Sequence, residues 1–171
     1  AGVFLVDEKG EYAVLRAGYG KAGKAMLAEG HKLRVGTESM IGACIAMGEA
    51  RIALDVGEAR VHFKNPHLPH TRSEMALPLI YGGKTLGAVT IQSSEERAFS
   101  EDDITTLLTM AEHLAVAINN AHLLEELKEA HNEILRNKVF EALTTASTEA
   151  IHWIGNKTLP ISLTVARLRE E

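Results

Sequence analysis

The sequence predicts an α+β chain: hairpin strands with short helices, followed by one long coiled-coil helix. Three observations carry this. "EMALPLIY" (74–81) and "KTLGAVTIQS" (84–93) flank Gly82-Gly83, and a Gly-Gly pair tolerates the positive φ angles of a tight hairpin turn. "GVFLV" and "YAVLRAGY" flank the turn residues "DEKG", a second hairpin over residues 2–18. From Phe99 onward the apolar spacing becomes helical, and no Gly or Pro interrupts residues 100–154.

The elements follow in order. "KAGKAMLAEG" holds helix formers and stops at Gly30, and "HKLRVG" reads as a short strand. "TESMIGACIAMGEA" opens on Thr37 as the expected N-cap, and its small residues suit a short helix packed closely on a sheet. "RIALDV" reads as an extended segment, and "GEARVHFKNPHLPHTRSE" as a surface loop. Pro78 donates to no ladder, so its strand is expected to meet an edge or a bulge there. Ser100, followed by Glu101, Asp102 and Asp103, is the capping signal of the long helix.

Composition narrows the function classes. A chain of 171 residues buries roughly 70% of its unfolded surface, enough for a core. A net charge of −5 argues against a nucleic-acid or anionic-membrane binder, which concentrates Lys and Arg. No apolar run approaches the ~20 residues of a membrane span, and no signal peptide is visible. The one cysteine, Cys44, fits a reducing compartment and reads as a small core residue, with a ligand- or redox-sensing role as the alternative. The expected location is cytoplasmic. His62, His67 and His70 read as ordinary loop histidines, because no cysteine or carboxylate in their loop completes a tetrahedral metal set, and no metal is expected.

In the long helix, apolar residues recur at Ile104, Leu107, Leu108, Ala111, Leu114, Ile118 and Ala121. They continue with shifted phase at Leu124, Leu127, Ile134, Leu135, Val139, Ala142, Leu143 and Ala146. A helix of about 50 residues is about 75 Å long, too long for its second half to bury its stripe on the same small domain. A second copy in a parallel coiled coil is the simplest cover, so a homodimer is expected. Glu125, His131 and Lys138 fall near the seam and weaken it there. The competing fold-back into two helices lacks a Gly or Pro turn in "NNAHLL" or "EAHNEILRNK".

"RSEMALPLIYGGKTLGAVTIQS" (72–93), followed by "FSEDDITTLLTMAEHLAVAINNAHL", resembles a GAF domain, and "GTESMIGACIAMGEARIALDV" is similar to the GAF helix that roofs the ligand pocket. The resemblance covers about residues 2–124. It implies a central antiparallel sheet with helices on one side, the loss of the usual N-terminal helix upstream, and a sensory module that binds a small molecule or nothing. The ligand itself stays unknown. The cysteine-histidine motif for covalent bilin attachment and the signature of cyclic-nucleotide binders are both missing. A methionine-sulfoxide reductase activity needs a set of reactive cysteines, and this sequence has one.

"AIHWIGNKTLPI" resembles a divergent H-box of a histidine-kinase dimerisation helix. By that resemblance His152 is the phosphoacceptor and Asn156 the auxiliary amide, with Trp153 in place of the usual acid and the proline displaced to Pro160. Glu149, three residues before His152 on the same helical face, is the candidate orienting acid. Gly155 and Pro160 both weaken the helix near the histidine. The alternative for His152, as for His113, His122 and His131, is a polar residue of the coil.

Together these predict a GAF sensory domain over residues 1–124 and a signalling and dimerisation helix over 125–171, forming a fragment of a sensor histidine kinase. ATP and Mg would come from a domain beyond Pro160, and a response regulator would receive the phosphoryl group. The alternative is a non-catalytic GAF module coupled through the coil to a transcription activator or cyclase.

Overall fold

The structure, a computed structural model, describes residues 1–57 and 65–168, with side chains described up to residue 154. The chain runs β1 (Gly2–Val6), β2 (Tyr12–Gly18), α1 (Gly20–Ala28), β3 (Lys32–Arg34), α2 (Met40–Met47), β4 (Arg51–Ala53), β5 (Ser73–Tyr81), β6 (Lys84–Ser93) and α3 (Glu101–Leu168). Among the described residues, the strands form one antiparallel sheet in the order β3-β2-β1-β6-β5-β4.

Both expected hairpins are present. Gly82 and Gly83 sit at φ 56° and 78°, the paired positive φ that a two-residue turn with right-handed strand twist needs. Pro78 pairs with β6 opposite Ala88, while β4 reaches only Glu74–Ala76. At Pro78 the outer side of β5 therefore has no described strand neighbour, and a register shift follows between Leu79 and Ile80. The missing N–H costs nothing there.

Strand alternation gives the sheet two apolar faces. Phe4, Leu15, Ala76 and Ala88 point to one face and pack with Met26 of α1 and Met40, Ile41, Cys44 and Ile45 of α2. Met75, Leu77 and Leu79 point to the other, against Ala111 and Ala115 of α3, with Ile104, Leu107, Leu108, Leu114 and Ile118 around them. The expectation of helices on one side is corrected: α1 and α2 cover one face, and the first turns of α3 cover the opposite one. A sheet apolar on both faces needs two covers. Burying a side chain such as Leu77 contributes about 1.5–3 kcal/mol.

Two helix starts show how caps are chosen. Ser39, not Thr37, caps α2. Its backbone is extended (φ −141°, ψ 157°) and its Oγ accepts from the Gly42 N–H at 3.0 Å. A cap oxygen reaches the amide three residues on, and the apolar run begins only at Met40, so the later hydroxyl wins. At α3, Ser100 Oγ accepts from the Asp103 N–H at 3.1 Å, and the Ser100 N–H donates to Asp103 Oδ2 at 2.9 Å. This is a reciprocal capping box with Asp in the acidic position.

The chain divides into two compact units, Ala1–Asn120 and Ala121–Glu171. α3 continues without a break through residues 119–138, where the fold-back would have turned, and its helical assignment runs on through Gly155 and Pro160. Every described residue from Ala121 to Ile154 is exposed, including Leu124, Leu127, Ile134, Leu135, Val139 and Leu143. Among the described residues, no helix is long and apolar enough to cross a membrane.

Candidate functional site

In the first unit, a glycine crossing brings a helix onto the sheet. β2 ends at Gly18, Tyr19 is the extended N-cap, and α1 opens on Gly20 at φ 76°. A Cβ on Gly23 would lie 2.5 Å from the Gly18 carbonyl carbon, so strand and helix meet backbone to backbone. Ala22, Gly23 and Met26 thereby line a cavity of about 40 Å³ between α1, α2 and the sheet. Phe4, Leu15, Leu33, Met40 and Ile41 supply its apolar walls. That volume holds a few water molecules or one small ligand group.

Glu74, Thr90 and Gln92 form the polar side of the cavity. The β5–β6 register sets Glu74 opposite Gln92 and Ala76 opposite Thr90, so all these side chains share the cavity face. Glu74 is only 6% exposed, and its Oε1 accepts from Thr90 Oγ1 at 3.2 Å and Gln92 Nε2 at 3.0 Å. Buried carboxylates need such donors. The "RSE" residues thus divide their work. The Arg72 guanidinium pairs with Glu96 and lies 3.8 Å from Asp55, Ser73 Oγ donates to the Glu95 carbonyl at 2.7 Å, and Glu74 faces the cavity.

The described part of the histidine loop closes over this space. Asn65, Leu68 and Thr71 line the cavity. Asn65 Nδ2 donates to Met26 Sδ at 3.1 Å, and His67 Nε2 lies 2.9 Å from Glu29 Oε2 at the end of α1. His70 is exposed, and His62 lies outside the described residues. Among the described residues, no group of three or more His, Cys, Asp or Glu could hold a metal. His31, whose ring meets Phe4 edge-on at 6.1 Å, also lines the cavity. Burial, and then the neighbouring His67, lower its pKa against an opposing pull from Glu29.

The residues singled out from the sequence belong to the second unit. Glu149 and His152 are both exposed on α3, three residues apart. Asn156 lies in the same helix, and its side chain lies outside the described residues. Cys44 is 0% exposed in α2, and burial pushes its thiol up to about 12, so it stays protonated and unreactive as a core residue. Sequence reasoning missed Glu74, Thr90 and Gln92. Their signal was present: each is a polar residue on the cavity face, between Met75, Val89 and Ile91, which point to the opposite face. The spacing Gly18-x-Gly20-x-x-Gly23 likewise marked the crossing.

The GAF domain family model matches residues 1–119. Among solved structures, the GAF domain of a phosphoenolpyruvate-protein phosphotransferase from Coxiella burnetii is 25% identical at TM-score 0.62, with 71% of this chain and 72% of that one covered. The equivalent domain from Acinetobacter is 21% identical at TM-score 0.59, with 73% of each chain covered. A type II free methionine-R-sulfoxide reductase from Thermoplasma acidophilum is 18% identical at TM-score 0.56, with 70% of this chain and 77% of that one covered. At such identities the latter two likenesses concern the fold alone. No curated protein matches the chain. With a sheet covered on both faces, a cavity between α1, α2 and the sheet, and a family match over 119 residues, the chain belongs to the GAF domain family of regulatory and sensory domains.

Proposed function

We propose that this GAF domain is the sensory input of a two-component sensor histidine kinase, with residues 1–124 as the sensory domain and 125–171 as the signalling and dimerisation helix. The observation that carries the reading is α3 itself: one uninterrupted helix contains both Ala111 and Ala115, packed on the sheet, and His152. A small ligand in the cavity lined by Glu74, Thr90 and Gln92 would shift the packing of α3's first turns through the sheet, biasing two arrangements of the coil. The exposed stripe of Leu124, Leu127, Ile134, Leu135, Val139 and Leu143 pairs with a second copy in a homodimer. The sulfoxide reductase activity of the Thermoplasma relative does not carry over, because the one cysteine is buried in α2.

In this reading a ring nitrogen of neutral His152 attacks the γ-phosphorus of ATP. The bond to the β–γ bridging oxygen breaks, ADP leaves, and the opposite ring N–H is held by Glu149. Asn156 orients a phosphoryl oxygen, and the phosphoryl group then passes to an aspartate of a cytoplasmic response regulator. ATP and Mg are supplied by a separate catalytic domain. The test is labelling of the full-length gene product with γ-labelled ATP: acid-labile phosphate should appear and be lost in His152→Gln. Absence of acid-labile label in the wild type would refute the kinase reading. It would leave the second one, a non-catalytic GAF module driving a transcription activator or cyclase, which the Trp153 and Pro160 departures favour.

A further inference from the structure

We propose that α3 selects a second copy of this chain in one orientation, parallel and in register, by charge. The seam is Leu123, Leu127, Ala130 and Ile134, with Glu126 and Glu133 along one border and His131 and Lys138 along the other. The inference deepens the homodimer proposed above and rests on it. The four seam residues follow one another in α3 at spacings of four, three and four. That is the alternation of d and a positions in a heptad, with Leu123 and Ala130 at d and Leu127 and Ile134 at a. All four are exposed. A β-branched residue at a, such as Ile134, and a leucine at d, such as Leu123, favour two strands over three or four. The apolar series stops there, because its next two positions are Asn137 and Glu141.

The borders choose the orientation. The g positions, one before each a, are Glu126 and Glu133. Of the e positions, one after each d, Leu124 is apolar and widens the seam, and His131 and Lys138 are basic. In a parallel, in-register pair each g meets the e position five residues further on in the other chain. Glu126 then faces the partner's His131, Glu133 faces the partner's Lys138, and two-fold symmetry repeats both contacts. In an antiparallel pair g meets g and e meets e. Glutamate would face glutamate, the basic residues would face one another, and both contacts would repel. Within one chain Glu133 and Lys138 are five residues apart, a spacing that does not bring them together on a helix surface. Among the described residues the ion pairs of this stretch are His122–Glu126 at 3.2 Å and Glu125–Lys128 at 3.4 Å, so a Glu133–Lys138 contact between chains competes with neither. Exposed pairs add little affinity. They fix orientation and register, while the apolar seam supplies the burial.

The test combines charge reversal with cross-linking of the purified chain. Glu133→Lys and Lys138→Glu each turn two symmetry-related attractions into repulsions. In sedimentation at low salt, each variant alone should self-associate about tenfold more weakly than wild type. An equimolar mixture of the two should recover wild-type association, because each chain then meets its complement. The differences should shrink in about 1 M sodium chloride. Orientation is read separately from Leu123→Cys and Ile134→Cys under mild oxidation, with Cys44 buried and out of reach. A parallel pair sets each position opposite itself, so both variants should form disulfide-linked dimers, and Asn132→Cys, away from the seam, should not. An antiparallel pair can bring at most one of the two seam positions opposite itself. Cross-linking at only one of them, or charge variants that associate as wild type does, would overturn this inference and leave the homodimer standing. A wild type that stays monomeric at every concentration would end both.

Discussion

Leu107 and Leu127 lie on the same helix and are the same residue type, yet they meet opposite fates. Leu107 packs beside Met75, Leu77 and Leu79 of the sheet, whereas Leu127 is 71% exposed. The contrast holds along the helix. In the unit Ala1–Asn120, the apolar face of α3 is covered by the chain's own sheet, and in Ala121–Glu171 no described residue up to Ile154 is buried. An amphipathic pattern therefore states that a face wants cover. It does not state who provides it. Where the cover is intramolecular, stability is independent of concentration. Where a second chain supplies it, stability follows mass action.

The largest expected effect separates the two regions directly. Leu77 is 0% exposed between the sheet and α3, so Leu77→Ala should cost about 2–5 kcal/mol. Urea unfolding should show a lower midpoint that does not move with protein concentration. Leu127→Ala should leave that midpoint in place and weaken self-association by about 1.5–3 kcal/mol per chain. Sedimentation should show wild type at twice the 18.6 kDa chain mass, with the variant dissociating at higher concentration. If wild type sediments as a monomer at all concentrations, the proposed dimer is wrong.

Gly23→Ala comes next. Its Cβ would lie 2.5 Å from the Gly18 carbonyl carbon, and backbone cannot step aside as a flexible side chain does. The helix must lift from the strand, at a cost of about 1–3 kcal/mol. Ala22 and Met26 move with it, so the cavity should loosen, visible as faster amide exchange at Thr90 and Gln92. Exchange unchanged from wild type would mean that α1 does not set the cavity's walls.

The order of elements was legible because each is locally encoded. Gly82-Gly83 marks its hairpin, Ser100 its cap, and the spacing from Ile104 to Ile118 its helix. The second cover of the sheet was less legible, because Met75-Ala76-Leu77 is apolar at every position. Such a strand says that both faces are buried, and only the tertiary arrangement shows α3 on one and α2 on the other. The capping hydroxyl of α2 was ambiguous for a similar reason: Thr37 and Ser39 are both N-cap residue types, and the start of the packed run at Met40 chose between them. Glu74 was hidden inside the motif that identified the fold. Its role depends on sharing a face with Thr90 and Gln92, and strand register is a long-range property. Glu149 and His152 were drawn from a local motif, which places them on one helix face and says nothing of what they meet.

The smallest expected effect tests how far the two regions are coupled along the helix they share. Ser100→Ala removes the oxygen that accepts from the Asp103 N–H, a loss of about 1 kcal/mol for an N-cap. The same serine holds the Asp103 carboxyl below its ordinary value, first through the side-chain hydrogen bond and then through the backbone one. A carboxylate with a depressed folded pKa stabilises above its unfolded value near 3.8, and that contribution is lost as the pH falls through the folded value. Wild type should therefore lose stability between neutral pH and pH 3 more steeply than Ser100→Ala, in thermal melts followed by near-ultraviolet dichroism. Capping and dipole effects fade within the first turn, so the change should be confined to the unit that holds Ser100. Self-association through Leu127 and Val139 should stay as in wild type. A Ser100→Ala variant whose self-association weakens along with its melting temperature would show that the start of α3 and its exposed stripe respond together, and the division drawn between covered and uncovered helix would lose its energetic meaning.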